Sequence, residues 1–301
     1  MTYALFTDGI ASDTTLDLLY SDPGMGPGTL ILVDPAHSES GLTAGVVPTS
    51  GTVRNLARDQ AATIVGGGAV AADMDMALTY LRSAGDASFR VERTLKGGIH
   101  GISSQVGQTS AALDIWSLAA QTALATWLLN AVPGGSLYFS LWYRSTRAYS
   151  AGYGQAPMFF MTDTSNYLMH TQSGFPTTPA QLGRTPTAAP AVGAATFIAQ
   201  GCNAWTGTKP AIGALRQSIG TLGRNANYSA ALLNKAQSAI LYRMKVEDLT
   251  RTKRANSGAG GTPAEEYAAA LAADQAQFTT AFAAGGKFYG DTWSDPATLL
   301  A

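Results

Sequence analysis

The stretch Ser136-Leu137-Tyr138-Phe139-Ser140-Leu141-Trp142-Tyr143-Arg144-Ser145-Thr146-Arg147 decides the fold class. It is rich in aromatic residues and alternates Leu137, Phe139, Leu141 and Tyr143 against Tyr138, Ser140, Trp142 and Arg144. Side chains on a strand point to opposite faces in turn, so the pattern reads as a half-buried strand at the centre of a sheet. Pro133-Gly134-Gly135 stands just before it. These breakers stop the preceding segment, Ala119 to Asn130, where Leu124, Trp127, Leu128 and the adjoining Ala131 fall at helical spacing.

A second alternating run, Ser238 to Thr250, places Ile240, Tyr242, Met244 and Val246 on one side and Arg243, Lys245 and Glu247 on the other. Thr29 to Val33 is a β-rich run between turn signals, and Phe89 to Leu95 and Thr196 to Ala199 read as further strands. Met158 to Thr162 and Tyr167 to Thr171 flank Asp163-Thr164-Ser165-Asn166 as a hairpin. Val53 to Val65 stays open between short helix and loop, and Ala71 to Leu81 between strand and short helix. Near the end Thr262 is an N-cap, Pro263 fits the first helical position and Glu265 completes a capping box. Tyr267, Leu271, Phe278 and Phe282 share one face of that helix, and Gly285-Gly286 ends it.

Strands dominate and do not alternate regularly with helices, so the fold class is mainly β: an antiparallel β-sandwich with a few helices, one of them near the C-terminus. The organisation expected is a single sandwich domain over residues 1–301, with a turn-rich N-terminal segment at 1–60 and a C-terminal helix and extended tail at 262–301. A chain of this length buries roughly 75% of its unfolded surface and needs no staple to hold a core.

Charged residues make up only 13% of the chain and the net charge is −1. Two readings of the low charge stay open: a surface partly covered by partners, or drift that exchanged Lys and Glu for Ala and Gly. A near-neutral chain gives no cause to expect specific nucleic-acid binding or an anionic membrane partner. No apolar run reaches the ~20 residues of a membrane helix, and Met1 to Asp8 has no signal-peptide pattern. Cys202 is the one cysteine, read as a small buried apolar residue.

Candidate chemistry is sparse. His37, His100 and His170 are scattered, without the close-spaced pair that zinc sites use, so no metal is expected and each reads as a locally hydrogen-bonded histidine. Gly66-Gly67-Gly68-Ala69-Val70-Ala71 fits the dinucleotide-binding pattern formally but lacks a βαβ setting, so it reads as a turn and no cofactor is expected. Asp73-Met74-Asp75 is the one pair of acids at strand spacing, and Glu247-Asp248 are adjacent; both read as solvent-facing acids rather than a glycosidase pair. Arg243, Lys245, Arg251, Lys253 and Arg254 form a small basic cluster, read as a solvated face. No catalytic residue is assigned, and the chain is expected not to be an enzyme.

The strand Phe139 to Arg147 resembles the one that opens concanavalin A-like, jelly-roll sandwiches of the lectin and glucanase type. The last third resembles the C-terminal part of tailed-phage and prophage virion proteins. There a strand like Tyr242 to Thr250 leads through a loop to a helix, and the chain closes on a motif like Gly285-Gly286-Lys287-Phe288-Tyr289-Gly290-Asp291-Thr292-Trp293-Ser294-Asp295-Pro296. The acidic triplet of the glucanases and the metal ligands of plant-type lectins are not found. The resemblance implies a non-enzymatic structural protein of a bacteriophage particle, in the tail, neck or capsid, with itself and other virion proteins as partners. It would reside in the virion after assembly in the host cytoplasm. The alternative is a receptor-recognition module of a phage fibre whose partner is a host surface glycan; an endoglycosidase is a third. The tail after Gly286 holds Phe288, Tyr289, Trp293, Leu299 and Leu300 with few charges. Burying one such side chain is worth roughly 1.5–3 kcal/mol, so the tail must dock, as a strap on its own sandwich or as an arm on a neighbour, and these five are the candidate interface residues.

Overall fold

The computed structural model describes residues 22–109, 113–134, 136–148, 158–161, 167–170, 191–202, 207–213, 217–224 and 233–301. The turn expected at 163–166 lies outside them. The chain builds β1 (Thr29–Val33), β2 (Thr52–Val53), α1 (Arg58–Val65), β3 (Met76–Leu81), β4 (Phe89–Arg93), β5 (Ile99–Ser103), β6 (Asp114–Ala120) and α2 (Thr122–Ala131). It continues with β7 (Leu137–Arg147), β8 (Met158–Met161), β9 (Tyr167–His170), β10 (Ala195–Gly201), β11 (Gln217–Arg224), β12 (Ser238–Asp248), α3 (Leu249–Thr252), α4 (Pro263–Phe282) and α5 (Pro296–Leu299).

The strands form two six-stranded sheets in which every described pair is antiparallel. The first runs β10-β7-β12-β5-β4, with β1 also paired to β12. The second runs β2-β3-β6-β11-β8-β9. They pack face to face as a sandwich, with β11 lying across β12 and β5. Leu137, Phe139, Leu141 and Tyr143 of β7 meet Trp116 and Leu118 of β6 and Ile219 and Leu222 of β11 in one apolar core. The gap is set by glycine: a Cβ on Gly101 would stand 2.7 Å from Leu222 Cβ, and one on Gly220 would stand 2.9 Å from both Leu241 and Met244. α1, α2 and a 3-10 turn at Ala71–Met74 pack together beside this core, supplying Ala61, Met74, Leu124 and Leu128 to it.

Three expectations change. β7 is central as expected but buried on both faces, because α4 and the C-terminal segment cover its outer side. β12 does not alternate simply. Leu241 pairs with Tyr143 and Arg243 with Trp142, so Tyr242 is an extra, bulged residue. Ile240 and Tyr242 therefore lie in the outer cluster with Trp142, while Leu241, Met244 and Val246 enter the core. The open segments resolve as α1 within 53–65 and as a 3-10 turn followed by β3 within 71–81. The tail expected to be extended folds into turns and the short α5.

Candidate functional site

The outer face of the first sheet gathers a set of buried charged and polar groups. α4 begins as its sequence dictates: Thr262 Oγ1 accepts from the Glu265 N–H, and Glu265 Oε2 accepts from the Thr262 N–H at 2.8 Å. About three turns into the helix, Asp274 is 1% exposed and faces β7. Its carboxylate accepts from Tyr138 Oη at 3.0 Å, from Trp142 Nε1 at 3.1 Å and from the Ser140 hydroxyl between them. Burial, and then the adjacent Asp274 charge, push the Tyr138 phenol well above its ordinary value.

The β12 bulge places Arg243 on this same face. Its guanidinium lies 4.6 Å from the Trp142 ring centre and pairs with Asp22 at 2.6 Å. Lys245 pairs with Glu247 at 2.5 Å, and Glu247 also takes Arg254 Nε at 2.9 Å. Arg243 and Lys245 are thus buried ion-pair members rather than part of a solvated basic face. Glu247 and Asp248 are likewise buried rather than solvent-facing, Asp248 capping α3 through the Thr250 N–H at 2.9 Å. The reason is the third layer: α4 and the segments around it shut this face from water. Asp73 and Asp75 do not form a pair either. Asp73 caps the 3-10 turn, and Asp75 accepts from the Asn55 N–H and faces Arg58.

A cleft of about 680 Å³ opens beside Arg243, with Asp22, Asp34, His37, Glu39 and Lys287 among its walls. Its ion pairs, Asp22–Arg243 and Asp34–Lys287 at 2.8 Å, already balance one another. Trp142 lies at its floor but is only 2% exposed, so it offers no free ring face for a sugar.

Residues 287–301 lie on the rest of the outer face as a strap. Phe288 is fully buried against Trp142, Tyr242 and Phe282, its ring centre 4.7 Å from that of Tyr242. Asp291 accepts from Tyr242 Oη at 2.8 Å and from the Lys96 N–H at 2.7 Å. The Thr292 carbonyl takes the Leu95 N–H. Trp293 lies 5.0 Å from the Arg144 guanidinium. Arg147 donates to the Leu300 carbonyl at 2.6 Å. Of the five candidate interface residues, Phe288 and Leu300 are buried within the chain, Trp293 is half-buried, and Tyr289 and Leu299 are exposed.

Ser294 ties the strap to a relay that the sequence did not reveal. Its N–H and hydroxyl donate to the two oxygens of Glu92 at 2.8 and 2.7 Å. Glu92 holds His100 Nδ1 at 2.8 Å, and His100 Nε2 meets Thr146 Oγ1 at 2.8 Å. Hydroxyl, imidazole and carboxylate stand in the order used to activate a nucleophile. His100 is 0% exposed and both Glu92 oxygens hold Ser294, so in this state the relay fastens the strap to β4, β5 and β7. Burial works to raise the Glu92 carboxyl, but bonds from His100 and from Ser294 outweigh it and bring it down to about 2. No motif spacing links residues 92, 100, 146 and 294. Asp274 did leave a signal: it interrupts the apolar stripe Tyr267, Leu271, Phe278 and Phe282.

The other candidates have local roles. His37 Nδ1 accepts from the Glu39 N–H, and the side chain of His170 lies outside the described residues. Gly66, Gly67 and Gly68 all have positive φ in the turn after α1. Cys202 is buried and burial pushes its thiol up to about 12. Among the described residues no group of three or more His, Cys, Asp or Glu is placed to hold a metal ion, and no helix is long and apolar enough to cross a membrane. None of the protein-family models, curated proteins and solved structures compared with this chain matches it.

Proposed function

We propose that this chain is a non-enzymatic structural protein of a bacteriophage particle, present in many copies and held to its neighbours by protein–protein contacts. One observation carries the reading. The two stretches that resemble virion proteins, around β12 and after Gly286, pack on one another: Tyr242 donates to Asp291 and its ring packs, tilted, against Phe288. A strand and a closing segment that interlock across a sheet form a module suited to locking subunits. The charge-poor composition fits a surface that partners cover. The jelly-roll topology belongs to the same proposal.

Mass spectrometry of purified virions tests it. Peptides of this chain are expected in an amount comparable to other structural proteins, and their absence from the particle sinks the reading. The second reading, a glycan-binding module, places the sugar in the cleft beside Arg243, where Glu39 and His37 line the wall next to the paired charges. On a glycan array the purified protein is expected to give no signal; binding abolished by Lys287→Ala, the part-exposed cation of the cleft, would move the assignment to that module.

A further inference from the structure

We infer that residues 291–301 are an exchangeable strap, and that the groove they occupy is a docking site for the same segment of a second copy. Within the structural reading above, this names the surface through which copies join.

The C-terminal segment has two parts that differ in what they hold. Up to Phe288 it belongs to α4: the Gly286 N–H bonds the Ala283 carbonyl, the Phe288 N–H bonds the Ala281 carbonyl, and the Phe288 ring sits among those of Trp142, Tyr242 and Phe282. From Asp291 onward, apart from the strap's own turns and one bond of the Asp291 N–H to the Phe288 carbonyl across the joint, its hydrogen bonds run to residues remote in sequence. Glu92, Leu95, Lys96, Gln105, Arg147 and Tyr242 receive it. Between the parts lies a joint. Tyr289 is 55% exposed, and Gly290 has φ +67 with nothing within 4 Å of where a Cβ would stand. A glycine in open space changes φ and ψ at little steric cost.

Such a strap transfers without losing a contact, because a second copy presents an identical groove. Left empty, the groove would return the Glu92 carboxylate and the Leu95, Lys96 and Gln105 N–H groups to water, so what a strap adds is the set of directed bonds that the same segment of any copy can make. What favours the strap's own groove is effective concentration, on the order of millimolar for a short flexible joint. Dilute chains therefore keep the strap in cis, and copies packed in an assembly reach the concentration at which exchange competes.

Two full-length variants test this. Glu92→Lys spoils the groove and keeps the strap, whereas Asp291→Lys spoils the strap and keeps the groove. Mixed, they form one intact strap–groove contact per pair, so native mass spectrometry is expected to show a mixed dimer and each variant alone a monomer. A mixture that stays monomeric overturns the exchange. Should either variant fail to fold, isotopically light and heavy wild-type chains are mixed at rising concentration and cross-linked. Mixed-isotope links between residues 92–105 and 291–301 are expected to rise with concentration; links that remain within one chain throughout overturn the inference. Both readouts use purified protein, so they fail independently of the virion test.

Discussion

At Asp274, three donors from alternate residues of one strand meet one carboxylate of a helix. Tyr138, Ser140 and Trp142 point to the same face because a strand repeats every two residues, and the helix supplies an acceptor just where that face is closed to water. Replacing Asp274 by Ala leaves three buried donors without a partner. Each stranded donor costs about 1–3 kcal/mol, and partial relaxation makes a loss on the order of 3 kcal/mol the expected result. Urea denaturation checks it; a loss under about 1 kcal/mol would show that water reaches these donors. The residue was half legible. A carboxylate inside an apolar helical stripe is visible in the sequence, but its partners are not, since residues 138 and 274 come together only through the fold.

At the scale of elements, β12 shows how one extra residue redirects a strand. Its composition and length declare a strand. The bulge at Tyr242 then puts Tyr242 and Arg243 on the same side and brings Arg243 over Trp142, which strict alternation forbids. β5, β6 and β11 carry no strand signal in the sequence. In Ile99-His100-Gly101-Ile102-Ser103 every residue is buried, so period-2 patterning is absent, and Gly101 is there for the approach of the facing sheet rather than for strand propensity. Gly101→Ala forces its Cβ against Leu222 and Phe89, and a loss of about 1–3 kcal/mol is expected from this overpacking. Thermal unfolding measures it, and an unchanged midpoint would mean that the two sheets part freely at this point.

At the scale of the molecule, the strap closes a third layer over the sandwich, and its hold depends on a charged Glu92. In the folded chain this carboxyl is held near 2, below its ordinary value of 4.5, so the folded state binds fewer protons than the unfolded one between those values. Its contribution to stability is therefore full above the ordinary value and is lost as pH falls towards 2. The stability gap between wild type and Glu92→Gln is expected to be largest near neutral pH and to shrink through this window. Urea midpoints taken across the range decide it, and a gap that stays constant would place the wild-type advantage outside proton linkage.

The sequence by itself determined the class of fold, the two long strands, the helix with its cap and the need for the tail to dock. Each of these rests on local physics: alternation, capping geometry, glycine breaks and the cost of solvating aromatic rings. Only the tertiary structure decided which side of β12 each residue takes, that Arg243, Lys245 and Glu247 are buried partners, and that Glu92, His100, Thr146 and Ser294 form one chain of hydrogen bonds. Those facts depend on which remote segments cover a face. A charged side chain reads as solvent-facing until another element arrives to bury and pair it, and its own neighbours in sequence carry no record of that arrival.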